Sequence, residues 1–244
     1  MQPISSLQNP TVKLVRSLAD KKGRRETGLF IAEGRAMLER AMDQGWVPEH
    51  VIATRPPHLW DEVRPLMVTE KLMGELSAQN NPHEVLACFK SKVQPHPGKS
   101  GLWLALEEIR DPGNLGTIIR TADAAGASGI ILIGDCCDPF APECVRATTG
   151  SIFAVPLVRM KPEGFVSYAA AFPGDVVGTA MQAKQDFTRP YAADCLLVLG
   201  SESRGLTTDI SKACKQSVRI PMRSGVESLN VATAAALMLY QAAR

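Results

Sequence analysis

The end of the chain reads IPMRSGVESLN at 220–230 and continues as VATAAALMLYQAA at 231–243. Between 231 and 239 Thr233 is the only polar residue, so the pattern predicts a helix at 231–243 that is apolar on every side. Such a helix belongs in a core or an interface. Ser228 and Asn230 fall where the first helical N–H groups need acceptors, which predicts a helix cap. A short strand is predicted just before this loop, at 218–220.

Composition is that of an ordinary globular chain, with 244 residues of which 45% are hydrophobic and 21% charged. The amino-terminal residues lack the pattern of a signal or transit peptide, and no apolar run reaches about 18 residues. We therefore expect a cytoplasmic protein with no membrane segment. Six cysteines occur without a CxxC pair or ligand-like spacing with histidine, which predicts reduced, mostly buried thiols and no metal site.

A stretch rich in Pro, Gly and Ser at 91–101 interrupts the apolar periodicity on both sides. We predict a small α/β/α domain at 1–92, a linker at 93–101 and a second domain at 102–244. In the first domain, Asn9-Pro10 is typical of a helix start, and Glu33-Gly34 opens a further helix that Gly45 ends. Strands are predicted there at 29–32, 50–54 and 84–89.

In the second domain, predicted strands alternate with helical segments, which indicates an α/β fold with a mainly parallel sheet and helices on both faces. These strands are 102–106, 130–133, 176–179, 196–199 and 218–220. Ligands of such sheets bind beyond the carboxyl ends of the strands, where polar loops occur at 110–116, 200–206 and 220–230. Taken singly, the first loop is an ordinary turn, with Asn114 capping a helix at 117–125 and Arg120 exposed on it. Taken singly, Glu202 in the second loop is a solvated carboxylate.

Positive charge is concentrated in the first part of the chain. Residues 1–100 hold 14 Lys and Arg against 11 Asp and Glu, and 101–244 hold 13 against 14. Six of these basic residues form a cluster at 13–25, where Asp20 is the single acidic residue. They are Lys13, Arg16, Lys21, Lys22, Arg24 and Arg25. Such a cluster can neutralise phosphates of a nucleic acid, although a solvated helix face gives the same pattern.

Considered together, the loops resemble the motifs of the SpoU, or TrmH-like, RNA 2′-O-ribose methyltransferases of the SPOUT superfamily. The matching residues are DPGNLG at 111–116 with RTA at 120–122, GSESRGL at 200–206, and IPM at 220–222 with SLNV at 228–231. The first domain is similar to the family's L30e-like substrate-binding extension in Asn9-Pro10, Lys13 and FIAEG at 30–34. Two positions depart from the family pattern: Ser203 stands where Gly is frequent, and the glycine of the third motif comes one residue later, as Gly225 after Ser224.

This resemblance implies a trefoil knot in the second domain, S-adenosylmethionine as the cofactor, RNA as the partner and a homodimer formed through the second domain. The residues implied for cofactor binding are Thr179, Leu199, Gly200, Ile220, Met222, Ser228 and Leu229. Those implied for catalysis are Arg120, Asn114, Glu202, Ser228 and Asn230. For RNA binding we predict Lys13, Arg16, Lys21, Lys22, Arg24, Arg25 and Arg35.

Methylation of a ribose 2′-hydroxyl needs a base or a strong orienting charge, because this hydroxyl is a poor nucleophile. All four histidines precede residue 101, which leaves Arg120 and Glu202 as charged candidates. The resemblance gives Arg120 the central role, either as a base or as an electrostatic clamp. We favour the clamp, since a guanidinium stays protonated in proteins. Asn114, Ser228 and Asn230 would complete the hydrogen-bonding frame.

Other function classes are a nucleotide-dependent dehydrogenase or a Rossmann-type methyltransferase, a transfer-RNA methyltransferase, and a non-catalytic RNA-binding or ribosome-assembly factor. The sequence contains no GxGxxG fingerprint, which disfavours the first two. A factor that had lost its chemistry is expected to lack some of Asn114, Arg120, Glu202 and Asn230, and all are present. The basic cluster favours ribosomal over transfer RNA, and the target nucleotide stays open.

Overall fold

The computed structural model describes residues 3–60, 62–77, 79–201, 203–225 and 228–244. The chain divides into two compact units, one formed by Met1–Lys92 with Asp138–Ala154 and the other by Val93–Cys137 with Val155–Arg244. The boundary predicted at the linker had placed Asp138–Ala154 in the second domain. Instead, this segment packs within the first unit.

The first unit is built on a four-stranded sheet in the order β1-β4-β2-β3. Strand β4 pairs antiparallel with both β1 and β2, and β3 is parallel to β2. Its elements are α1 (Pro10–Ser17), α2 (Lys21–Thr27), β1 (Leu29–Glu33), α3 (Arg35–Asp43), β2 (His50–Ala53), β3 (Leu66–Met67), α4 (Glu70–Leu76), β4 (Val85–Lys90) and α6 (Pro142–Thr148), with a 3₁₀ turn at Ser151–Phe153. The predicted strands and the helix starts at Asn9 and Gly34 are confirmed.

Alternation along β1 and β4 separates two cores in this unit. Aliphatic side chains on one face, such as Ile52 and Leu86, pack with Val12 of α1 and Leu72 of α4. The other face carries a group of aromatic rings, namely Phe30, Trp46, Phe89, Phe140 and Phe153, in which each ring has at least one neighbour at a centroid distance of 4.9–6.2 Å. Phe140 and Phe153 belong to Asp138–Ala154, which explains why that segment joins the first unit.

The second unit contains a seven-stranded sheet in the order β7-β6-β5-β10-β8-β11-β9, and each neighbouring pair is parallel. Its elements are β5 (Leu102–Glu107), α5 (Pro112–Ala124), β6 (Gly129–Ile133), β7 (Leu157–Met160), α7 (Pro162–Ala171), β8 (Asp175–Thr179), β9 (Gln185–Asp186), β10 (Cys195–Leu199), α8 (Thr208–Ala213), β11 (Gln216–Arg219) and α9 (Val231–Ala242). The predicted mainly parallel sheet is confirmed. The last predicted strand ends at Arg219, so Ile220 is the first residue of the loop that follows.

Helices cover both faces of this sheet, as predicted. Phe165 of α7 and Ile210 of α8 pack with Trp103 and Ala105 in one core cluster. By alternation, Leu104 and Leu106 point to the opposite face, where α5 contacts β6, α9 contacts β10, and the two helices pack against each other. The carboxyl ends of the central strands therefore open next to the amino-terminal ends of α5 and α9.

Candidate active site

The loop after β5 enters α5 earlier than the sequence predicted. The helix begins at Pro112 rather than at Thr117, and its cap is Asp111, whose carboxylate accepts a hydrogen bond from the Asn114 N–H at 2.6 Å. The prediction that Asn114 caps this helix was therefore wrong. Because Asp111 caps the helix, the Asn114 side chain is available for another contact.

That contact is with Asn230. The Asn230 side-chain oxygen caps α9 by accepting from the N–H groups of Ala232 and Thr233, at 2.9 and 3.3 Å. Its amide nitrogen donates to the Asn114 side-chain oxygen at 2.9 Å. This amide orientation also satisfies the helix, since an acceptor must face the first N–H groups. One side chain thus caps α9 and links it to α5.

The loop after β10 doubles back on itself. The Gly205 N–H donates to the Ser201 carbonyl at 2.8 Å, and a Cβ atom on Gly200 would collide with the Gly205 backbone. Glycine is required at residue 200 because no side chain fits this close approach. Glu202, which we predicted to be catalytic, lies outside the described residues.

The loop after β11 contains Gly225, the glycine that comes one residue later than in the family's third motif. Gly225 has φ of 89°, which glycine adopts without the steric penalty of a Cβ. Ser224 is not among the described non-glycine residues with positive φ, which are His58, Glu108 and Thr149. The later glycine therefore carries the left-handed conformation, and Ser224 needs no strained backbone. Val226 and Glu227 lie outside the described residues.

A cavity of about 510 Å³ lies where these loops meet, and we call it the loop cavity. All the residues predicted for cofactor binding line it, namely Thr179, Leu199, Gly200, Ile220, Met222, Ser228 and Leu229. They come from the ends of β8, β10 and β11 and from the segment before α9. Apolar side chains and backbone near glycine form much of this wall, a lining typical of small-molecule sites.

A second cavity of about 480 Å³, which we call the Asn114 cavity, shares part of its wall with the first. The shared residues are Ser201, Ser203 and Arg204. The rest of its lining is Glu108, Ile109, Arg110, Asp111 and Asn114. The two cavities are therefore suited to hold two reactants on either side of the loop after β10.

Arg120 lines neither cavity. Its side chain is exposed on α5, and it makes no hydrogen bond or ion pair within the described part of the chain. The structure brings Asn114, Asn230 and Ser228 to the cavities or their border, but it leaves the predicted central arginine outside them.

The thiol of Cys214, in the second unit, is partly buried. Burial, followed by the negative charge of Glu107, raises the pKa of Cys214 to about 12, so this thiol is neutral at physiological pH. None of the six cysteines forms a disulfide bond, and four of them are buried, which agrees with the predicted mostly buried thiols. Among the described residues no group of His, Cys, Asp and Glu is arranged to hold a metal ion. None of the described helices combines the length and the apolar composition of a membrane-spanning segment.

The predicted RNA-binding residues of the first unit separate into two kinds. Most are exposed, namely Lys13, Arg16, Lys21, Lys22, Arg25 and Arg35. Arg24 instead is only 8% exposed. Its guanidinium donates to the Asp138 carboxylate at 2.9 Å and to the carbonyls of Leu18 and Ala19, each at 2.8 Å. Arg24 is thus committed to internal contacts, and we withdraw it from the RNA-binding set.

A further cavity, of about 660 Å³, lies within the first unit. Its charged lining residues balance one another, with Arg16, Arg24 and Arg146 against Glu33, Glu75 and Glu143. None of the residues predicted for catalysis or cofactor binding lines it.

Comparison with known proteins agrees with this architecture. Residues 101–240 match the model of the SpoU rRNA methylase family, and residues 9–87 match that of the MRM3-like substrate-binding domain. The chain is 30% identical to the 23S rRNA (guanosine(2553)-2′-O)-methyltransferase RlmP of Bacillus subtilis, over 98% of each protein. It is 32% identical to the 23S rRNA (uridine(2479)-2′-O)-methyltransferase of Streptomyces viridochromogenes, over 93% of this chain and 86% of that protein.

A solved structure of an rRNA methyltransferase from Sinorhizobium meliloti with AdoMet bound superposes with a TM-score of 0.90. The two chains are 37% identical, and the match covers 98% of this chain and 96% of the other. The family model spans more than half of the sequence, and the similarity to both relatives is nearly full-length. The chain therefore belongs to the SpoU rRNA methylase family, whose members are methyltransferases that use S-adenosylmethionine.

Proposed function

We propose that this protein transfers a methyl group from S-adenosylmethionine to a ribose 2′-hydroxyl of 23S ribosomal RNA. The observation that carries the proposal is the loop cavity, which gathers every predicted cofactor residue and shares a wall with the cavity containing Asn114. The names of the two methyltransferase relatives support 23S rRNA as the substrate. Those relatives act on different bases, so the target nucleotide does not follow from them.

The loop cavity fits the cofactor in size and lining. Its volume of about 510 Å³ lies within the range of small-molecule sites. Leu199, Ile220 and Leu229 would pack against the adenosine, and backbone groups near Gly200 would bond its edge. When bound, S-adenosylmethionine supplies an electrophilic methyl group.

The chain's own residues would orient the acceptor ribose. Asn114 and Asn230 form a hydrogen-bonded pair that two helix ends hold in place, and Ser228 stands on the wall of the neighbouring cavity. Such a preorganised frame lowers the entropy cost of bringing the hydroxyl into line. Arg120 would bind the adjacent phosphate and stabilise the developing alkoxide without giving up its proton.

We propose that Arg120 acts in a homodimer, on the site of the partner subunit. Its position outside both cavities supports this arrangement. Apolar surface for a dimer is present on α9, where Leu237 is 38% exposed and Tyr240 is 52% exposed. Exposed apolar side chains of this kind are typical of interfaces.

We propose that Lys13, Arg16, Lys21, Lys22, Arg25 and Arg35 bind RNA phosphates. All are exposed, and cations on exposed helices can displace counterions from RNA. Their position in the unit that matches a substrate-binding domain supports this role. We also propose a cytoplasmic location, which the lack of disulfide bonds among the six cysteines supports. A trefoil knot in the second unit is a further proposal, which the insertion of β10 between β5 and β8 supports.

The direct test is ribose-methylation mapping of total RNA from cells with and without this protein. We expect one 2′-O-methylated position of 23S rRNA to disappear and to return when the wild-type gene is supplied, but not when Arg120→Ala is supplied. The Arg120→Lys variant should restore it partly, because a lysine charge lacks the bidentate geometry of arginine. Loss confined to transfer RNA, or no loss at all, would contradict the proposal.

Mixed dimers test whether Arg120 works across the interface. Arg120→Ala and Asn230→Ala are each expected to be inactive as homodimers. After the two are refolded together, half of the dimers are mixed and each has one intact site, so about a quarter of wild-type activity should return. If Arg120 serves its own subunit, the mixture stays inactive. Mixing each variant with itself is the control.

Asn230 variants separate capping from catalysis. In Asn230→Ala both the cap and the bond to Asn114 are lost, so the free energy of unfolding should fall by about 1 kcal/mol and methyl transfer should decline strongly. In Asn230→Ser the hydroxyl can still cap α9 but cannot reach Asn114. We expect near-normal stability in urea unfolding with the same loss of transfer rate. Full activity of the serine variant would show that the Asn114 contact is dispensable.

Arg24 and Arg25 form a matched pair on one helix. Arg24→Gln should lower the free energy of unfolding by roughly 2–3 kcal/mol, because it leaves the Asp138 carboxylate and two carbonyls without a cationic donor. Arg25→Gln should leave stability unchanged within about 0.5 kcal/mol and should weaken RNA binding, with a shallower dependence on salt. The assignment is reversed if Arg24→Gln is stable and loses RNA affinity.

A further inference from the structure

Glu107 is a buried carboxylate that the proposed chemistry does not use. It is the last residue of β5 and is 3% exposed. A buried charge is tolerated only when hydrogen bonds or an opposite charge compensate for lost hydration. Within the described residues no Lys, Arg or His forms an ion pair with Glu107, so hydrogen bonds must hold it.

Both carboxylate oxygens of Glu107 are bound by one residue, Thr207. The Thr207 N–H donates at 2.8 Å to one oxygen, and its hydroxyl donates at 2.6 Å to the other. The shorter distance is typical of a charge-assisted O–H···O⁻ bond. Thr207 precedes the first residue of α8, so this contact fixes the point at which the loop after β10 ends.

The start of the same loop is also fixed to β5. Leu199, at the end of β10, is paired in parallel register with Leu106, the neighbour of Glu107. The loop at 200–206 is thus anchored to consecutive residues of one strand, through the backbone at its start and through a carboxylate at its end. Between these anchors lie Ser201, Ser203 and Arg204, which form the wall that the two cavities share.

We propose that Glu107 is a positioning residue, which holds the loop after β10 in the place where it separates the two cavities and contacts S-adenosylmethionine. The inference rests on the function proposed above. Glu107 itself lines neither cavity, so it acts through Thr207. The charge matters because only a carboxylate accepts from both Thr207 donors at once with both oxygens.

The test compares Glu107→Gln, Thr207→Val and the double variant with the wild type, using calorimetric titration with S-adenosylmethionine in the absence of RNA. Loss of a hydrogen bond to a charged group is expected to raise the Kd about tenfold in each single variant. Because the two residues act as one unit, the double variant should be little weaker than either single one. Thr207→Ser retains both donors and should bind within about twofold of the wild type.

Two controls keep a structural effect apart from a positioning effect. Glu163→Gln replaces an exposed carboxylate of α7 that lines neither of these cavities and should leave the Kd unchanged. The thermal midpoint and the Kd for RNA are measured for every variant. A lower midpoint with an unchanged cofactor Kd would overturn the proposal, because Glu107 would then only stabilise the fold. If Glu107→Gln does not fold, the Thr207→Val and Thr207→Ser pair gives the answer.

Failure of this inference is distinguishable from failure of the proposed function. If the wild type methylates 23S rRNA and the variants keep its cofactor Kd and its single-turnover rate, only the role of Glu107 is wrong. If the variants lose cofactor affinity as expected but the wild type methylates no ribosomal RNA, the positioning role stands and the proposed substrate is wrong.

Discussion

Parallel backbone pairing between β5, β10, β8 and β11 is the constraint on which the site depends. Parallel strands end at the same edge of a sheet, so the loops that follow them are brought together although they are distant in sequence. In this register Leu106 of β5 is paired with Leu199 of β10, and Val198 of β10 with Gly178 of β8. Thr179 of β8 is paired with Val218 of β11. A loop moved to another edge would leave the loop cavity without one of its walls.

Helix capping fixes the positions of the polar side chains in these loops. Asp111 and Asn230 satisfy the first N–H groups of α5 and α9, which they would do in any protein. Because Asp111 takes the capping role in α5, Asn114 can bond Asn230 instead. The contacts that stabilise the two helices are therefore the ones that fix the polar pair, and rigidity of this kind is what a catalytic frame requires.

Much of this arrangement could be predicted from the sequence, because apolar strands and Gly-containing loops leave strong local signals. The resemblance of three loops to one family supplied the residues from Thr179 to Leu229 that line the loop cavity. What could not be predicted depends on contacts between distant segments. Nothing local distinguishes Arg24 from Arg25, yet Asp138 makes the first a buried ion pair. The joining of Asp138–Ala154 to the first unit likewise follows from the packing of Phe140 and Phe153 on Phe30.

Short elements and nearby alternatives account for the other differences. Strands β7 and β9 lie at the edges of the sheet, where short and partly polar segments carry weak patterns. The cap of α5 was assigned to Asn114 because both Asp111 and Asn114 are good caps, and only the position of Pro112 at the start of the helix decides between them. The burial of Glu107 could not be predicted from the sequence, because a carboxylate at a strand end is ordinarily exposed.

The central claim is that the loops after β8, β10 and β11 together form the cofactor site. Hydrogen exchange of backbone amides, measured with and without S-adenosylmethionine, tests it most directly. The account predicts slower exchange at 179–182, 199–206 and 219–229, with no change in the strands of the first unit. Protection confined to the first unit, or no protection at saturating cofactor, would contradict it.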